Sequence, residues 1–166
     1  TLNSSTIESL VNIEKPLRVD VFLSGELPAD YLRLLSEIKA FFKSMQTYTD
    51  KISIEYIDPF EGASSSAELI DEMNKFGISP EYIRSENIQA VEQRVVFPWA
   101  IVNNGNKTLR IPLITDNLGD SQQEKINRSV AQIEFKFFDA FIKINRKQKT
   151  ALAVLTSHAT SEDAKI

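Results

Sequence analysis

Few residues of this chain have side chains suited to covalent or acid–base chemistry. Its 166 residues include no cysteine and a single histidine, His158. Without thiols, disulfide exchange, thiolate nucleophiles and cysteine-ligated zinc or iron–sulfur sites are excluded. His158 follows an apolar run and is either a base or ligand at a strand end or an incidental residue, and the lack of a partner histidine favours the second. We therefore expect a protein that is not an enzyme and carries no metal or cofactor.

Several carboxylates also fit either a chemical or a structural role. Asp58 follows a predicted strand, where it is either a catalytic or metal-binding carboxylate or the residue that shapes a turn before Pro59. An enzyme built on Asp58 or Glu26 would need a cleft around the carboxylate and a shifted pKa. The acidic group of Glu68, Asp71 and Glu72 lies early in a predicted helix, where negative charge is favourable without any function.

The overall composition points to a folded acidic domain. The chain is 42% hydrophobic and 25% charged, with a formal net charge of −4. This composition is that of a globular protein with a buried core. The negative balance offers no surplus of cations for phosphates, so nucleic acid is not expected as a partner.

Periodicity places strands and helices in alternation along most of the chain. Val19, Val21 and Leu23 alternate in a first strand, and apolar residues at three- and four-residue spacing follow in a long helix. A hairpin with an Asn104-Gly105 turn comes later. Residues 78–93 allow no assignment beyond a loop with a short strand. The predicted elements are strand 17–23, helix 29–48, strand 52–57, a helix ending at Gly77, hairpin strands 95–102 and 107–114, and helix 122–146.

The last helix carries more apolar surface than one face can hold. Phe135, Phe138 and Ile142 widen its apolar arc beyond the stripe of Ile133, Phe137 and their neighbours. A helix that is apolar around its circumference is typical of full burial. We therefore expect this helix to be packed on a sheet.

The order strand, helix, strand, helix, hairpin, helix is that of the thioredoxin-like fold. The predicted class is α/β (βαβα-ββα), a mixed central sheet with helices on both faces. Pro98 stands where thioredoxin-like proteins hold a cis-proline, and we expect a cis bond, with a trans proline at a strand edge as the alternative. The redox pair of that fold corresponds here to residues 24–27, which carry no sulfur, so the domain is predicted to be redox-inactive.

The chain divides into three predicted parts. Residues 1–15 form an N-terminal lead-in helix, and residues 16–147 form the thioredoxin-like domain. Residues 148–166 read as a linker and the first strand, 151–155, of a truncated second α/β domain, because one strand without a crossover cannot form its own core.

The predicted binding surface is a groove between the first strand–helix turn and the head of the hairpin. Its residues are Ser24, Gly25, Glu26, Phe97, Pro98 and Trp99. A sheet edge beside a proline suits an extended peptide. Trp99 fits both a partner hot spot and a core position.

Five phrases of the sequence, in their order and spacing, resemble the GldG family, the auxiliary component of the gliding-motility ABC transporter of Bacteroidetes-type bacteria. They are residues 2–10, 15–19, 22–28, 57–60 and 96–100. In that family the strand that opens the second domain runs into a Gly-His-Gly-Glu-like turn. This chain has Ser157-His158-Ala159-Thr160 instead, which weakens any role for His158.

The resemblance implies a non-catalytic, extracytoplasmic subunit of an ABC transporter complex that acts as a protein-interaction or scaffolding module. It would lie on the periplasmic side of the inner membrane, anchored by transmembrane segments outside this sequence. Its partners would be the permease and ATPase subunits and an envelope protein or glycan. The alternative function is a peptide-, glycan- or small-molecule-binding domain that uses the groove.

Overall fold

The computed structural model describes residues 2–86 and 91–146. Within these ranges the chain is a mixed α/β fold with five helices and six strands. The elements are α1 Ser4–Val11, β1 Leu17–Val21, α2 Ala29–Met45, β2 Ile52–Tyr56, α3 Ser66–Lys75, β3 Glu81–Glu86, β4 Val91–Val96, β5 Trp99–Asn103, β6 Thr108–Pro112, α4 Gln122–Ala131 and α5 Ile133–Asn145. The predicted linker, the strand at 151–155 and His158 lie outside the described residues.

Four strands form one mixed sheet in the order β2-β1-β5-β6. The strands β1 and β2 are parallel, with Val19 opposite Ile54, and α2 forms the crossover between them. Strand β5 runs antiparallel to both β1 and β6, and the β5–β6 turn contains Gly105 at a φ of +96°. The predicted mixed sheet and its Asn-Gly hairpin are confirmed.

The two faces of this sheet contact different helices because neighbouring side chains of a strand alternate between faces. Val19, Val21 and Val102 lie in the main core, which also takes residues from α1, α2, α4 and α5. Phe22 and Trp99 face the other way, into a smaller cluster around Met73 of α3. The sheet therefore has helices on both faces.

The apolar residues of helix α2 recur at helical spacing and pack into the core. Tyr31, Leu34, Ile38 and Phe42 recur at three- and four-residue intervals, and all four are buried. The ring of Phe42 lies 4.8 Å from that of Phe137 on α5 in an edge-to-face contact. Such aromatic pairs contribute roughly 1 kcal/mol beyond the burial of their area.

The single helix predicted for residues 122–146 is two helices, so that prediction is wrong. They meet at Gln132, whose φ of −96° and ψ of −1° interrupt the regular geometry. Three residues earlier, the buried Ser129 hydroxyl donates to the Lys125 carbonyl at 2.8 Å and accepts the Thr115 N–H at 2.8 Å. A serine that bonds the carbonyl four residues back bends a helix, which explains why the break lies here.

The expected full burial of α5 is also wrong. Ile133, Phe137, Phe141 and Ile144 face the core, but Phe135 is 62% exposed and Ile142 is 40% exposed. Helical geometry puts Phe135 and Ile142 on the side opposite the buried stripe. Sequence periodicity recognised an apolar helix but not that its outer face would have no cover within the described residues.

The unassigned stretch between α3 and the main sheet contains a second hairpin. Helix α3 ends with Gly77 at a φ of +78°, and the N–H of Ile78 bonds the Met73 carbonyl at 2.9 Å, which is a Schellman ending. Strands β3 and β4 then pair antiparallel as a separate two-stranded sheet, with Glu81 opposite Val96. The predicted strand 95–102 is thus divided between β4 and β5.

The division falls at Pro98. The cis bond that was expected before Pro98 is wrong. The described residues contain no cis peptide bond, so Phe97–Pro98 is trans. Pro98 belongs to no strand, while its carbonyl accepts the Leu113 N–H at 2.8 Å and the Trp99 N–H bonds the Phe97 carbonyl at 2.8 Å. This is the alternative geometry, a trans proline at the edge of a strand.

Candidate functional site: a cleft at the carboxyl ends of β1 and β2

The chain folds so that three loop regions meet at one edge of the main sheet. Because β1 and β2 are parallel, the residues that follow them, Ser24 and Asp58, emerge at the same edge. Antiparallel β5 begins at that edge, and the Phe22 N–H bonds the Trp99 carbonyl at 2.9 Å. The β3–β4 hairpin therefore enters the main sheet beside the two turns.

A cleft of about 440 Å³ lies between these segments. Its wall includes the turn after β1, the turn after β2, the first residue of α3 and the end of β4. The lining residues are Phe22, Ser24, Glu26, Leu27, Asp58, Pro59, Phe60, Ser66, Gln93, Arg94, Val95, Val96 and Phe97.

Asp58 organises the turn on one side of the cleft. Its Oδ1 accepts the Phe60 N–H at 3.0 Å, the bond of an Asx turn. Its carboxylate also lies against Gly25, where an added Cβ would be 2.3 Å from Oδ2. Gly25 has a φ of +82°, which other residues rarely adopt. The two turns are thus fitted to each other through a glycine and a carboxylate.

Aromatic rings form the apolar part of the cleft. The rings of Phe60 and Phe97 lie 5.7 Å apart, and Phe97 is buried. Phe22 and Phe60, which are partly buried, pack in the same cluster as Phe97. An apolar floor with a few polar groups at the rim is typical of a binding cleft.

The charged residues of the cleft differ from side to side. Glu26 and Asp58 contribute carboxylates from the β1 and β2 turns, and Arg94 contributes a guanidinium from β4. Glu26 is exposed and Asp58 is partly buried. The two turns therefore present a negative side to anything that lies in the cleft.

Three of the six predicted groove residues, Ser24, Glu26 and Phe97, line this cleft. Gly25 lies beside it against Asp58, and Pro98 is buried. Trp99 is partly buried in the α3 cluster and donates its indole N–H to the Ser79 carbonyl at 2.8 Å, so the core interpretation of Trp99 fits the structure.

Sequence reasoning did not include Phe60, Ser66 or Arg94 in the groove. Phe60 could have been predicted to lie in the groove, since it follows Asp58-Pro59 at the end of a strand. No feature of the sequence placed Arg94 in the groove, because the β3–β4 hairpin was not predicted. Asp58 was considered as a separate carboxylate and not as a neighbour of Gly25.

Two of the three acidic residues of α3, Glu68 and Asp71, make local contacts. Asp71 pairs with Lys75 at 3.0 Å, and Glu68 accepts the Ser64 hydroxyl at 2.9 Å. Within residues 2–86 and 91–146, no three histidine, aspartate or glutamate side chains are grouped as a metal site would require.

None of the described helices combines the length and apolar character needed to cross a bilayer.

Tyr31 and Lys136 are among the groups outside the cleft whose pKa values are shifted, and both lie at contacts between elements. Burial, followed by the hydrogen bond to Glu81, raises the pKa of the Tyr31 phenol. Burial lowers the pKa of Lys136 to about 8, and its ammonium donates to the Pro112 carbonyl at 2.7 Å. Tyr31 fastens the β3–β4 hairpin to α2, and Lys136 fastens α5 to the edge strand β6.

Comparison with known proteins identifies a family for the chain. No curated protein and no solved structure matches the chain. A family model described as a domain of unknown function, DUF7088, matches residues 1–103. Every residue that lines the cleft falls within that match. Since the match covers more than half of the 166 residues, the chain belongs to the DUF7088 family.

Proposed function

We propose that this domain is a non-catalytic protein-interaction module that binds its partner through the cleft at the carboxyl ends of β1 and β2. The observation that carries the proposal is the meeting of Ser24, Glu26 and Phe97 in one open, aromatic-floored cleft. The cleft carries an apolar floor, the exposed side chain of Glu26 and the carboxylate of Asp58, which is engaged in a turn. Shape and surface therefore fit binding better than catalysis.

The architecture proposed for the module is thioredoxin-like and redox-inactive. The sheet order β2-β1-β5-β6, with a parallel first pair and an antiparallel hairpin, supports this assignment. In this comparison residues 24–27 take the place of the redox pair, and the β3–β4 hairpin is an addition before Pro98. The chain has no cysteine, so a fold of this type would keep its binding surface without its thiol chemistry.

The biological setting we propose follows the GldG resemblance of residues 2–10 through 96–100. There the domain is an extracytoplasmic part of an ABC transporter complex linked to gliding motility, on the periplasmic side of the inner membrane. Its partners are the permease and ATPase subunits, through the full-length protein, and an envelope protein. The phrases at 22–28, 57–60 and 96–100 coincide with three segments of the cleft wall, which supports a shared binding role.

A second candidate function is the binding of a peptide, a glycan or another small ligand. The volume of about 440 Å³ falls in the range of small-molecule sites, and Phe22, Phe60 and Phe97 offer flat apolar faces. Rings of this kind bind the apolar faces of sugars as well as aliphatic side chains.

Affinity capture with a matched pair of variants tests the main proposal. Ser66 is the exposed first residue of α3 and lines the cleft, while its exposed neighbour Ala67 does not. Ser66→Trp should block the cleft and Ala67→Trp should not. We expect envelope proteins of the native host to be retained by the wild type and by A67W and lost by S66W. Equal retention by both variants, or recovery of cytosolic proteins alone, would refute the proposal.

A further inference from the structure

We infer that the ligand of the cleft is an extended peptide segment that adds to the open edge of β4 and places a basic side chain between Glu26 and Asp58. The inference rests on the proposed function and specifies its partner chemistry: a strand-forming segment with apolar residues on either side of a lysine or arginine.

Strand β4 lies along the cleft. Five consecutive residues of the chain, from Gln93 to Phe97, line the cleft. Successive side chains of a strand point to opposite faces, so one face of β4 would contribute only every second residue. A continuous run means that the strand meets the cleft with its edge.

That edge has no partner strand within the described residues. Strand β4 pairs with β3 alone, in a sheet of two strands. In an antiparallel pair, alternate residues direct their N–H and C=O groups away from the partner strand. These groups of β4 are therefore available along the cleft, and an extended peptide satisfies them by strand addition.

The floor of the cleft fits the side chains of such a strand. Phe22, Phe60 and Phe97 lie in one apolar cluster, with the rings of Phe60 and Phe97 5.7 Å apart. A peptide on the β4 edge would direct alternate side chains toward this floor and the others toward the polar rim of the cleft, where Glu26 is exposed. Apolar residues at alternate positions are thus expected.

The charge of the cleft favours a basic residue between the two apolar residues of the peptide. From the turns after β1 and β2 the cleft presents the carboxylates of Glu26 and Asp58, and Arg94 of β4 is the only cation among the described residues that line it. Asp58 is partly buried and held by the Phe60 N–H, so its carboxylate is fixed in place before a ligand binds. A basic side chain complements this side, and an acidic one is repelled.

Fluorescence anisotropy with defined peptides tests the inference on the 166-residue chain. The probe is fluorescein-labelled Thr-Val-Lys-Val-Thr amide, compared with versions that carry Glu or norleucine at the centre. Two further versions carry N-methyl groups on the even or on the odd residues. Each methylated version loses the donors of one edge and keeps its side chains.

We expect the lysine peptide to bind and one of the two methylated versions to lose at least about tenfold in affinity, since a strand pairs through one edge. Glu26→Gln with Asp58→Asn should weaken the lysine peptide roughly fivefold and leave the norleucine peptide unchanged. Asn keeps the oxygen that accepts the Phe60 N–H. The control is Glu61→Gln, an exposed residue outside the cleft, which should change nothing.

Three results would overturn the inference: no binding of the lysine peptide up to about 1 mM, equal binding of both methylated versions and the parent, or equal binding of the glutamate peptide. If one of these is found while S66W still abolishes capture of the envelope partner, the proposed function stands and only the peptide assignment fails. If capture is also insensitive to S66W, both fail.

Discussion

The α-carbon of Gly25 lies so close to the carboxylate of Asp58 that a β-carbon on Gly25 would be 2.3 Å from Oδ2 of Asp58. This contact joins the turn after β1 to the turn after β2, and both turns line the cleft. Gly25 also has a φ of +82°, so two independent constraints require glycine at this position.

Gly25→Ala should destabilise the domain more than a glycine replacement without such a neighbour. We expect a loss of about 2 kcal/mol in the free energy of unfolding, from backbone strain and displacement of Asp58. Gly62→Ala is the control, because Gly62 has a φ of +77° and no atom within 4 Å of an added Cβ. Urea unfolding measures both, and equal losses would show that the contact with Asp58 contributes nothing.

Ser129→Ala tests the break between α4 and α5. The buried hydroxyl satisfies the Thr115 N–H and bonds the Lys125 carbonyl. Its removal leaves a donor without a partner, so we expect a loss of about 2 kcal/mol. Ser36→Ala, on the exposed face of α2, is the matched control and should change the free energy of unfolding by less than about 0.5 kcal/mol. A neutral S129A would contradict this role.

Tyr31→Phe tests the attachment of the β3–β4 hairpin. The buried phenol donates to the Glu81 carboxylate, which also lies 3.6 Å from the Lys125 ammonium. Loss of a bond to a charged group should cost about 2 kcal/mol.

Alkaline titration gives a second readout for Tyr31. Because burial and Glu81 raise the pKa of Tyr31, the folded protein keeps its phenol neutral, and its contribution to stability is lost only as the pH rises above about 10. The absorbance difference between wild type and Y31F at 295 nm should show no phenolate while the protein is folded. A full phenolate signal near pH 10 would contradict the buried hydrogen bond.

Lys136 should make the stability depend on pH in a defined window. Burial lowers its pKa to about 8 in the folded state, against about 10.4 in the unfolded chain. Between these values the unfolded state binds more protons, so the free energy of unfolding should rise with pH. Chemical denaturation at pH 7.5, 8.5 and 9.5 measures this rise, and Lys136→Met should remove it. An identical pH profile in K136M would show that Lys136 is not responsible.

Much of the main sheet could be predicted because its side chains alternate clearly. Val19 and Val21 mark β1, and Asn104-Gly105 marks the β5–β6 turn. The β3–β4 hairpin lacked such a signal, since Glu81, Arg84 and Arg94 interrupt its apolar pattern. Pro98 was correctly placed at the start of a strand, but its predicted cis isomer is wrong. Pro98 lies between β4 of the small sheet and β5 of the main sheet, and that position depends on the β3–β4 hairpin, which was not predicted.

The cleft could be predicted only in part for the same reason. Ser24, Glu26 and Phe97 follow from the order of elements, because that order places the β1 turn beside the head of β5. The approach of Asp58 to Gly25 depends on backbone geometry in two turns that sequence alone does not specify. Phe135 shows what periodicity cannot predict: the spacing identifies an apolar helix face, but it does not show whether anything covers that face, and Phe135 is exposed.

Site-specific photo-crosslinking in the native host tests the binding role of the cleft most directly. A photoreactive phenylalanine analogue is placed at Ser66 in the cleft, at Ala67 beside it or at Phe135 on the outer face of α5. We predict a discrete adduct with an envelope protein from Ser66 and no such adduct from Ala67 or Phe135. Adducts from Phe135 with none from Ser66 would contradict the central claim and transfer the interaction surface to α5.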